Sequence, residues 1–530
     1  MRLTLLLITT LLMASVLTLS GSGKSYPDRC DLSITLMDLD HNKPITGIIR
    51  MERSNGEPIA LESLLSRGLG VENKPELSRW SVIDRSAVVR VPAEIITLEA
   101  LKGLETERFR KQIDLRGQSN ARIEIPLKHF YRTAEQGLRS ANTHLHVMKL
   151  DRPTTDRYLR DVPKADGLDL VFLSYLERYK EDRTYISNRY HNDDLRALSD
   201  SELLYGNGEE HRHNFKDYGE GYGHVMLLNI NALIQPVSIG PGIMKRGTDG
   251  IPLQRGIDTA RKDGATIVWC HNDYGMEDLP NWITGRLDAQ NIFDGGINSS
   301  YKDTFYRYLQ SGLKVPFSTG TDWFIYDFSR VYVPCKDPLT VEKWLHALAA
   351  GQSYITNGPF LEFSIGNHSI GDTIDLSRSD TLEIEGRGLG RIDFQKLELV
   401  HNGKAIHHIA TQPYEGHHRA EFRIRIPIHE PGWFALRIPP FHGNDEAAEI
   451  RVPKNEFGYT LFGHTSPIYV TFKGKSIFDH ALAQGLLQEM IQKQSIIADR
   501  ALFSDDQAKN RVLQVYDQAI ATLHQQIKSR

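Results

Sequence analysis

The chain contains few cysteines, little net charge and only one long hydrophobic run. Cys30, Cys270 and Cys335 are the only cysteines in 530 residues, which excludes a disulfide framework and leaves at most one bridge. The 63 lysines and arginines nearly balance the 67 aspartates and glutamates, so the formal net charge is -4. Because neither sign forms a long run, the charge offers no electrostatic basis for binding nucleic acid.

The one long hydrophobic run lies at the amino terminus. Arg2 precedes an apolar stretch from Leu3 to about Leu19, and small residues occupy positions 20–23. This order is typical of a secretory signal peptide, which we place at residues 1–23. An uncleaved membrane anchor is the alternative, since the run is near the lower limit for spanning a bilayer. We expect an exported protein, periplasmic or secreted, with no transmembrane span after cleavage; the arginine before Cys30 argues against lipid attachment.

Short runs of β-like residues dominate residues 26–130 and 361–475. Their alternation of apolar and polar residues predicts a β-sandwich in each segment, and the dipeptide Asn402-Gly403 indicates a hairpin in the second. Residues 476–530 have apolar residues at helical spacing, and Ser504 to Gln507 forms a capping-box sequence that would open a second helix. We therefore predict a helical hairpin that docks on the rest of the protein.

Residues 133–360 have a different texture, in which apolar strand-like runs alternate with helical stretches such as Gln254 to Lys262. Repeated strand–helix units predict an α/β layer or barrel, where functional residues gather at the carboxyl ends of strands. The candidate buried strands are LDLVFLSYL, HVMLLNI, ATIVWCH and VPFSTGTD.

Two histidines, His144 and His146, end another apolar run, NTHLH. In an extended strand, residues i and i+2 project to one face, so both imidazoles could reach one cation. Such a pair alone is more often solvated or hydrogen-bonded than metal-binding. Its significance depends on what other ligands the fold brings to it.

More imidazoles and carboxylates lie at the ends of other predicted strands, and these groups are the usual ligands of zinc, manganese or iron. Each also has a structural alternative: His224 could hydrogen-bond within the wall, His211 and His213 could be solvated, and Asp322 could cap a turn. Cys270, beside His271, should face the opposite side of its strand and belong to the core. The residues concerned are Glu209, Glu210, His211, His213, His224, His271 and Asp322.

From about Ser140 to Pro359 the chain resembles the PHP (polymerase and histidinol phosphatase) superfamily, in particular its CehA/McbA-like metallohydrolase branch. The resemblance is carried by NTHLHV, by GEE followed by GHVMLLNI, and by IVWCHN, GLKVPFSTGTDW and SYITNGP. It implies a distorted (β/α)7 barrel at residues 133–360, flanked by the N-terminal and C-terminal β-sandwiches and the C-terminal helical hairpin. Metal ions would lie at the carboxyl ends of the barrel strands.

The resemblance also implies a ligand set. His144 and His146 match the first H-x-H of the family, Glu210 its G-x-E carboxylate and His224 its G-H-[VA] histidine, with Glu209 as the competing carboxylate. The two remaining matches are His271, at the end of a late strand, and Asp322, in G-[ST]-D.

The chain departs from the family pattern at three places. It has Ser-Tyr-Leu at positions 174–176 where full-site members have T-D-H, and Phe324 where they have a histidine. An early acidic ligand is not clearly placed, with Asp151 and Asp156 both available. These losses argue against three metals, whereas six candidate ligands suffice for one or two divalent ions with an open position for water.

We therefore expect an exported metal-dependent hydrolase that cleaves an ester-like bond (phosphoester, carboxylic ester or carbamate) in a small-molecule or extracellular substrate. Asp322 is the first candidate for moving the proton and Glu210 the second. A substrate phosphate or carboxylate could meet one of four cations: Arg212, Lys216, Arg246 or Arg330. The alternative is a non-catalytic extracellular binding protein on a degenerate PHP barrel, whose β modules recognise polysaccharide or another ligand.

Overall fold

The protein is a mixed α/β structure with several β-sheets. A computed structural model describes residues 28–177, 185–214, 221–240, 249–296, 300–439 and 452–530. The predicted signal peptide lies outside these residues. Within them, no helix combines the length and the apolar character that crossing a membrane requires. All three cysteines are free and buried, so no disulfide forms.

Two packed sheets form the N-terminal segment, as its alternating runs predict. In one sheet β1 pairs with β2 and β6 antiparallel and with β9 parallel; the other has the order β4-β5-β3-β7-β8. Leu32, Ile34 and Leu36 of β1 share a buried core with Ile49 and Met51 of β3, so both sheets contribute to one interior. The elements are β1 (Arg29–Asp38), β2 (Lys43–Pro44), β3 (Gly47–Arg53), β4 (Leu65–Ser66), α1 (Pro75–Ser78), β5 (Ser81–Ile83), β6 (Ser86–Pro92), β7 (Ile95–Leu101), β8 (Phe109–Asp114) and β9 (Asn120–Leu127).

The central segment alternates strands and helices, and helix α4 falls where the sequence predicts it. Its elements are β10 (Leu138–His146), α2 (Arg152–Ala165), β11 (Leu170–Tyr175), α3 (Asn192–Leu198), β12 (Leu204–His213), β13 (Gly223–Leu228), β14 (Ser238–Ile239), α4 (Leu253–Lys262), β15 (Thr266–Trp269), α5 (Asp278–Ile283), β16 (Ala289–Asn291), α6 (Arg307–Gln310), β17 (Phe317–Ser318), β18 (Asp322–Trp323), β19 (Arg330–Pro334), α7 (Val341–Ala349) and β20 (Tyr354–Thr356).

Apart from β14, successive strands of this segment pair with one another from β10 to β17, and β18 pairs with β10. Strands β10, β11 and β12 are parallel neighbours, as are β15, β16 and β17, and β18 lies parallel to β10 on its other side. Strand β13 is antiparallel to both β12 and β15. It begins ten positions after β12 ends, which is shorter than the dozen or so residues that a parallel crossover needs. The start of β13 therefore lies beside the carboxyl ends of β12 and β15.

A second pair of sheets forms the C-terminal β segment. One has the order β22-β21-β24-β28-β27, and the other joins the central segment where β20 pairs with β30. Asn402 and Gly403, both at positive φ, make the predicted hairpin turn. The strands are β21 (Phe360–Ile365), β22 (His368–Ser369), β23 (Thr373–Leu376), β24 (Asp380–Gly390), β25 (Lys396–His401), β26 (Lys404–Ala410), β27 (Gln412–Tyr414), β28 (His417–Ile428), β29 (Gly432–Arg437), β30 (Gly463–Thr465) and β31 (Ile468–Phe472).

Two long helices, α8 (His480–Arg500) and α9 (Asp506–Ser529), form the predicted C-terminal hairpin. The cap of α9 is one residue later than expected: the side chain of Asp505, rather than Ser504, accepts from the backbone N–H of Ala508 at 2.7 Å. The predicted apolar stripes face the central segment and join its core. The Tyr516 hydroxyl donates to the Met276 carbonyl at 2.5 Å, which fixes the hairpin beside the loop that follows β15.

An ion pair whose two side chains are both buried joins the N-terminal and central segments. Arg67 follows β4 and inserts its guanidinium against Asp166, at the end of α2, and both side chains are fully buried. The Arg67 Nε donates to Asp166 Oδ1 at 2.9 Å, and a terminal nitrogen donates to the Ile325 carbonyl. Every partner of this guanidinium therefore lies outside the N-terminal segment.

Another buried carboxyl, Glu277, predicts a pH dependence of stability. It accepts the backbone N–H groups of Leu253 and Gln254 at the start of α4, at 3.2 and 3.0 Å. Burial nevertheless raises the pKa of Glu277 to about 7. Since the folded state holds this proton more tightly than the unfolded state, its contribution is complete below pH 4.5 and is lost as the pH rises through about 7.

Replacing Glu277 by Gln should therefore flatten the stability profile. Between pH 5 and pH 8 the natural protein should lose on the order of 3 kcal/mol more unfolding free energy than Glu277→Gln. Urea titrations at four pH values would measure this, with the exposed Glu57→Gln as the control. Parallel profiles for the natural protein and Glu277→Gln would show that Glu277 does not titrate in this window.

Candidate metal centre

The centre begins with the histidine pair on β10. His144 and His146 are fully buried on one face of the strand, with Leu145 in a hydrophobic core on the other. Their Nε2 atoms lie 3.0 Å apart. The Nδ1 atom of His144 lies 2.8 Å from an Asp294 oxygen, and that of His146 lies 3.0 Å from the Ser174 carbonyl. Both partners only accept, so each Nδ1 donates, and Nε2 is the nitrogen that each ring turns to the other.

Strand β12 adds Glu210 to this pair. Its Oε2 lies 3.1 Å from His146 Nε2. Glu209 points to the opposite face, where it binds His211 Nδ1 at 2.8 Å and the Ile234 N–H at 2.7 Å. The structure thus places Glu210, and not the competing Glu209, beside the histidines.

The alternative that His211 and His213 are solvated is wrong, because both are fully buried in β12. The ring of His213 stacks on Tyr222 at 3.7 Å, and that of His211 packs so closely on α4 that a Cβ at Gly256 would lie 2.2 Å from it. Their burial reflects contacts with α4 and with the segment before β13, on the face turned away from the centre.

His224 and His271 complete the other side of the centre. Since β13 runs antiparallel, His224 reaches the centre from the start of its strand, opposite Arg212 of β12. His224 Nδ1 lies 3.1 Å from Glu210 Oε1, and His271 Nε2 lies 3.7 Å from the same oxygen. Glu210 therefore turns one oxygen to the β10 pair and the other to His224 and His271.

Asp322 approaches the β10 pair from β18. Its Oδ1 lies 3.4 Å from His144 Nε2 and 3.7 Å from His146 Nε2, and this buried oxygen has no hydrogen-bond partner among the described residues. The alternative role as a turn cap is therefore not seen in the described part of the chain. Gly320 allows this approach, because a Cβ there would lie 2.6 Å from the His144 Cβ.

All six predicted ligands thus converge in two overlapping groups, each with its ligand atoms within 4.8 Å of one another. Glu210 belongs to both groups and could bridge two cations. The β10 group contains His144, His146, Glu210 and Asp322, and the β13 group contains Glu210, His224 and His271. These buried clusters could hold a metal ion.

Sequence analysis did not identify Asp294, which lies three residues after the end of β16. Its carboxylate contacts the Nδ1 atoms of His144 and His271, at 2.8 and 3.1 Å. Cys270 belongs to the core as predicted, but it does not face away from the centre, because its sulfur lies within 4.8 Å of ligand atoms of His144 and Asp294. Strand β15 ends at Trp269 and His271 has a φ of 54°, so strand alternation no longer applies there.

The departures from the family pattern have structural roles here. The Ser174 carbonyl orients His146. The Phe324 ring packs on the N-terminal segment, so closely that a Cβ at Gly70 would lie 2.1 Å from it. Neither early acidic candidate is at the centre: Asp151 caps α2, and Asp156 binds Arg152 and the Tyr190 hydroxyl.

Of the four cations expected near a substrate, Arg212 is at the centre, with a terminal nitrogen 3.3 Å from Glu210 Oε1. The prediction that Arg330 contacts a substrate is wrong, because its buried guanidinium donates to the carbonyls of Phe328 and Asp166, at 2.9 and 2.8 Å. Lys216 and Arg246 lie outside the described residues.

The charged groups of the centre shift one another's pKa values. Burial disfavours a positive charge on His144, but nearby acidic groups, Asp322 first among them, raise the pKa of its imidazole well above the ordinary value. At His271, burial also lowers the pKa of the imidazole, but the charge of Asp294 outweighs it and raises that pKa well above the ordinary value. At Glu210, Arg212 and the imidazoles outweigh burial and hold the pKa well below the usual range. Protons and a cation therefore compete for the same imidazole nitrogens.

Comparison of the chain with protein-family models, with curated proteins and with solved structures found no match in any of the three. The fold and the site together define a mixed α/β protein with buried clusters of His, Asp and Glu that could hold a metal ion.

Proposed function

We propose that the protein is a metal-dependent hydrolase that uses one or two divalent ions, zinc, manganese or iron, to cleave an ester-like bond. The pairings that run from β10 to β17, together with the pairing of β18 with β10, support a distorted (β/α)7 barrel of the PHP type. The predicted signal sequence supports export to the periplasm or the medium. The small-molecule or extracellular ester substrate is proposed from the resemblance.

The convergence of electron-pair donors carries this proposal. Four atoms face one another in the interior, where all four residues are buried: the Nε2 atoms of His144 and His146 and one oxygen each of Glu210 and Asp322. Both imidazoles donate their Nδ1 protons to other groups, His144 to Asp294 and His146 to the Ser174 carbonyl. Such an arrangement repels itself unless a positive charge lies within it, and mixed nitrogen and carboxylate ligands suit the proposed cations.

A divalent cation held by these residues would supply Lewis acidity, making a water molecule acidic and polarising the oxygen of the scissile bond. Asp322 can take the proton of the attacking water, since its Oδ1 has no hydrogen-bond partner among the described residues. Glu210, held ionised by Arg212 and the imidazoles, is the second candidate for this role. The Arg212 guanidinium places a positive charge beside the centre, where it can bind an anionic oxygen of the substrate.

Metal analysis of the purified protein tests this proposal. We expect one or two equivalents of transition metal, and we expect hydrolysis of a phosphomonoester, phosphodiester or carboxyl-ester reporter to stop on chelation. Zinc, manganese or iron should restore it, whereas calcium, which prefers six to eight oxygen ligands, should not.

A double variant, His144→Ala with His146→Ala, should lose both the metal and the hydrolysis. The matched control is His211→Ala with His213→Ala, an H-x-H pair equally buried but on the opposite face of β12. Substoichiometric metal after loading, together with no turnover of any reporter, would contradict the proposal and favour the non-catalytic binding protein.

A further inference from the structure

Asp294 begins the turn Asp294–Gly296, three residues after the end of β16, and is fully buried. The turn packs on the centre, since a Cβ at Gly295, which has a φ of 65°, would lie 3.2 Å from Asp322 Oδ2. Glu210 is the shared member of the two ligand groups described above. Asp294 belongs to neither of them and lies in a third set with His144 and Cys270, whose ligand atoms are also within 4.8 Å of one another.

We propose that Asp294 is the positioning residue that links the two groups, holding one imidazole of each, His144 and His271, with Nδ1 protonated and Nε2 turned to the centre. This inference rests on the proposed metal-dependent function, and it assigns a role to a residue that contacts ligands rather than the cation.

Four donors saturate the Asp294 carboxylate. Oδ2 accepts from His144 Nδ1 at 2.8 Å and from Asn291 Nδ2 at 3.2 Å. Oδ1 accepts from the backbone N–H of His271 at 3.0 Å and from its Nδ1 at 3.1 Å. Because an ionised carboxylate only accepts, it selects the same tautomer in both rings and leaves each Nε2 with a lone pair for a cation.

The other two imidazoles do not depend on Asp294. The Ser174 carbonyl orients His146, and the nitrogen that His224 turns towards Glu210 is Nδ1 rather than Nε2. One side chain therefore controls one histidine on each side of Glu210. A change at Asp294 should affect both groups, while each keeps its other histidine in place.

Asparagine at position 294 has nearly the same shape but only one accepting atom. If that oxygen stays with the two His271 donors, the amide N–H faces His144, which must then accept through Nδ1 and carry its proton on Nε2. His144 in that tautomer cannot bind a cation. The opposite orientation of the amide affects His271 in the same way, so one of the two imidazoles loses its function in either case.

Calorimetric titration with Zn²⁺ and Co²⁺ on the full chain tests the inference. We expect Asp294→Asn to weaken the binding of at least one ion by about 10- to 100-fold, as is usual when the orienting partner of a ligand is removed. The visible Co²⁺ spectrum should change with the loss of an imidazole ligand. In ¹⁵N spectra of histidine-labelled protein, one ring should move from the Nδ1–H to the Nε2–H tautomer.

Asp249→Asn is the matched control, because Asp249 is another buried aspartate within 3.3 Å of a histidine, His213, that belongs to neither group. It should bind both metals as the natural protein does. Unchanged binding and tautomers in Asp294→Asn would overturn the inference, as would an equal loss in Asp249→Asn, since the effect would then be one of general packing. Failure of the natural protein to bind either metal would overturn the proposed function itself, a result distinct from the other two.

Discussion

Glu210→Gln should lower kcat/KM on any reporter substrate by about 10³-fold, within the range for loss of a general acid or base, and should also weaken metal binding. The expected loss is large because Glu210 turns one oxygen to His146 and the other to His224 and His271. A glutamine offers one accepting oxygen and must present an amide N–H to the other group. Steady-state kinetics with metal analysis would measure both effects.

Glu209→Gln is the matched control for this prediction. The two glutamates are adjacent, equally buried and in the same strand, but Glu209 binds His211 and the Ile234 N–H on the opposite face. We expect this variant to keep its metal and most of its activity. A larger loss of activity in Glu209→Gln than in Glu210→Gln would show that the ligand is the other carboxylate.

Asp166→Asn should destabilise the protein by about 3–5 kcal/mol, the cost of leaving a buried charge without its counter-ion. Arg67 would remain fully buried, with the Ile325 carbonyl and a neutral amide as its hydrogen-bond partners. Since this pair joins the N-terminal segment to the end of α2, that segment should also separate more readily. Denaturant unfolding would give the free energy, and limited proteolysis would report the separation.

An exposed ion pair provides the comparison. Asp193 and Arg196 form an i,i+3 pair in which both side chains are more than three-quarters exposed, and such pairs contribute about 1 kcal/mol or less. Asp193→Asn should therefore change the stability little. Comparable losses in the two variants would mean that water reaches the Arg67 pair.

The sequence predicted the β-sandwich-like segments and the helical hairpin because their apolar residues recur with the period of a strand or of a helix, whereas the six-residue ligand set was implied by the resemblance. Residues of a strand alternate between its two faces, so the alternation of apolar and polar residues in β1 predicts which of its side chains are buried. The same geometry puts His144 and His146 on one side of β10. Residues whose positions depend on local periodicity were therefore predictable.

The choice between Glu209 and Glu210 was not predictable from the same rule. Strand β12 is buried on both faces and carries polar residues on both, so alternation separates the two glutamates without indicating which one faces the centre. His211 packs against α4, so the face of β12 that it shares with Glu209 is turned away from the centre and Glu210 faces the centre. Asp294 was missed because it lies in a turn, where no periodicity applies, and its contacts with His144 and His271 come from residues 150 and 23 positions away.

The position of β10 in the sheet constrains the order in which the chain folds. This strand carries the first two ligands, yet one of its edges is covered by β18 and β19, and the Asn142 side chain donates to Thr321 across 179 positions. A chain in which β18 and β19 have not yet formed therefore carries His144 and His146 on an open strand edge. Closing so long a loop is entropically costly and slow. A metal ion bound by the complete centre would consequently be taken up late in folding, and the folding chain is most exposed to wrong strand pairing while that edge is free.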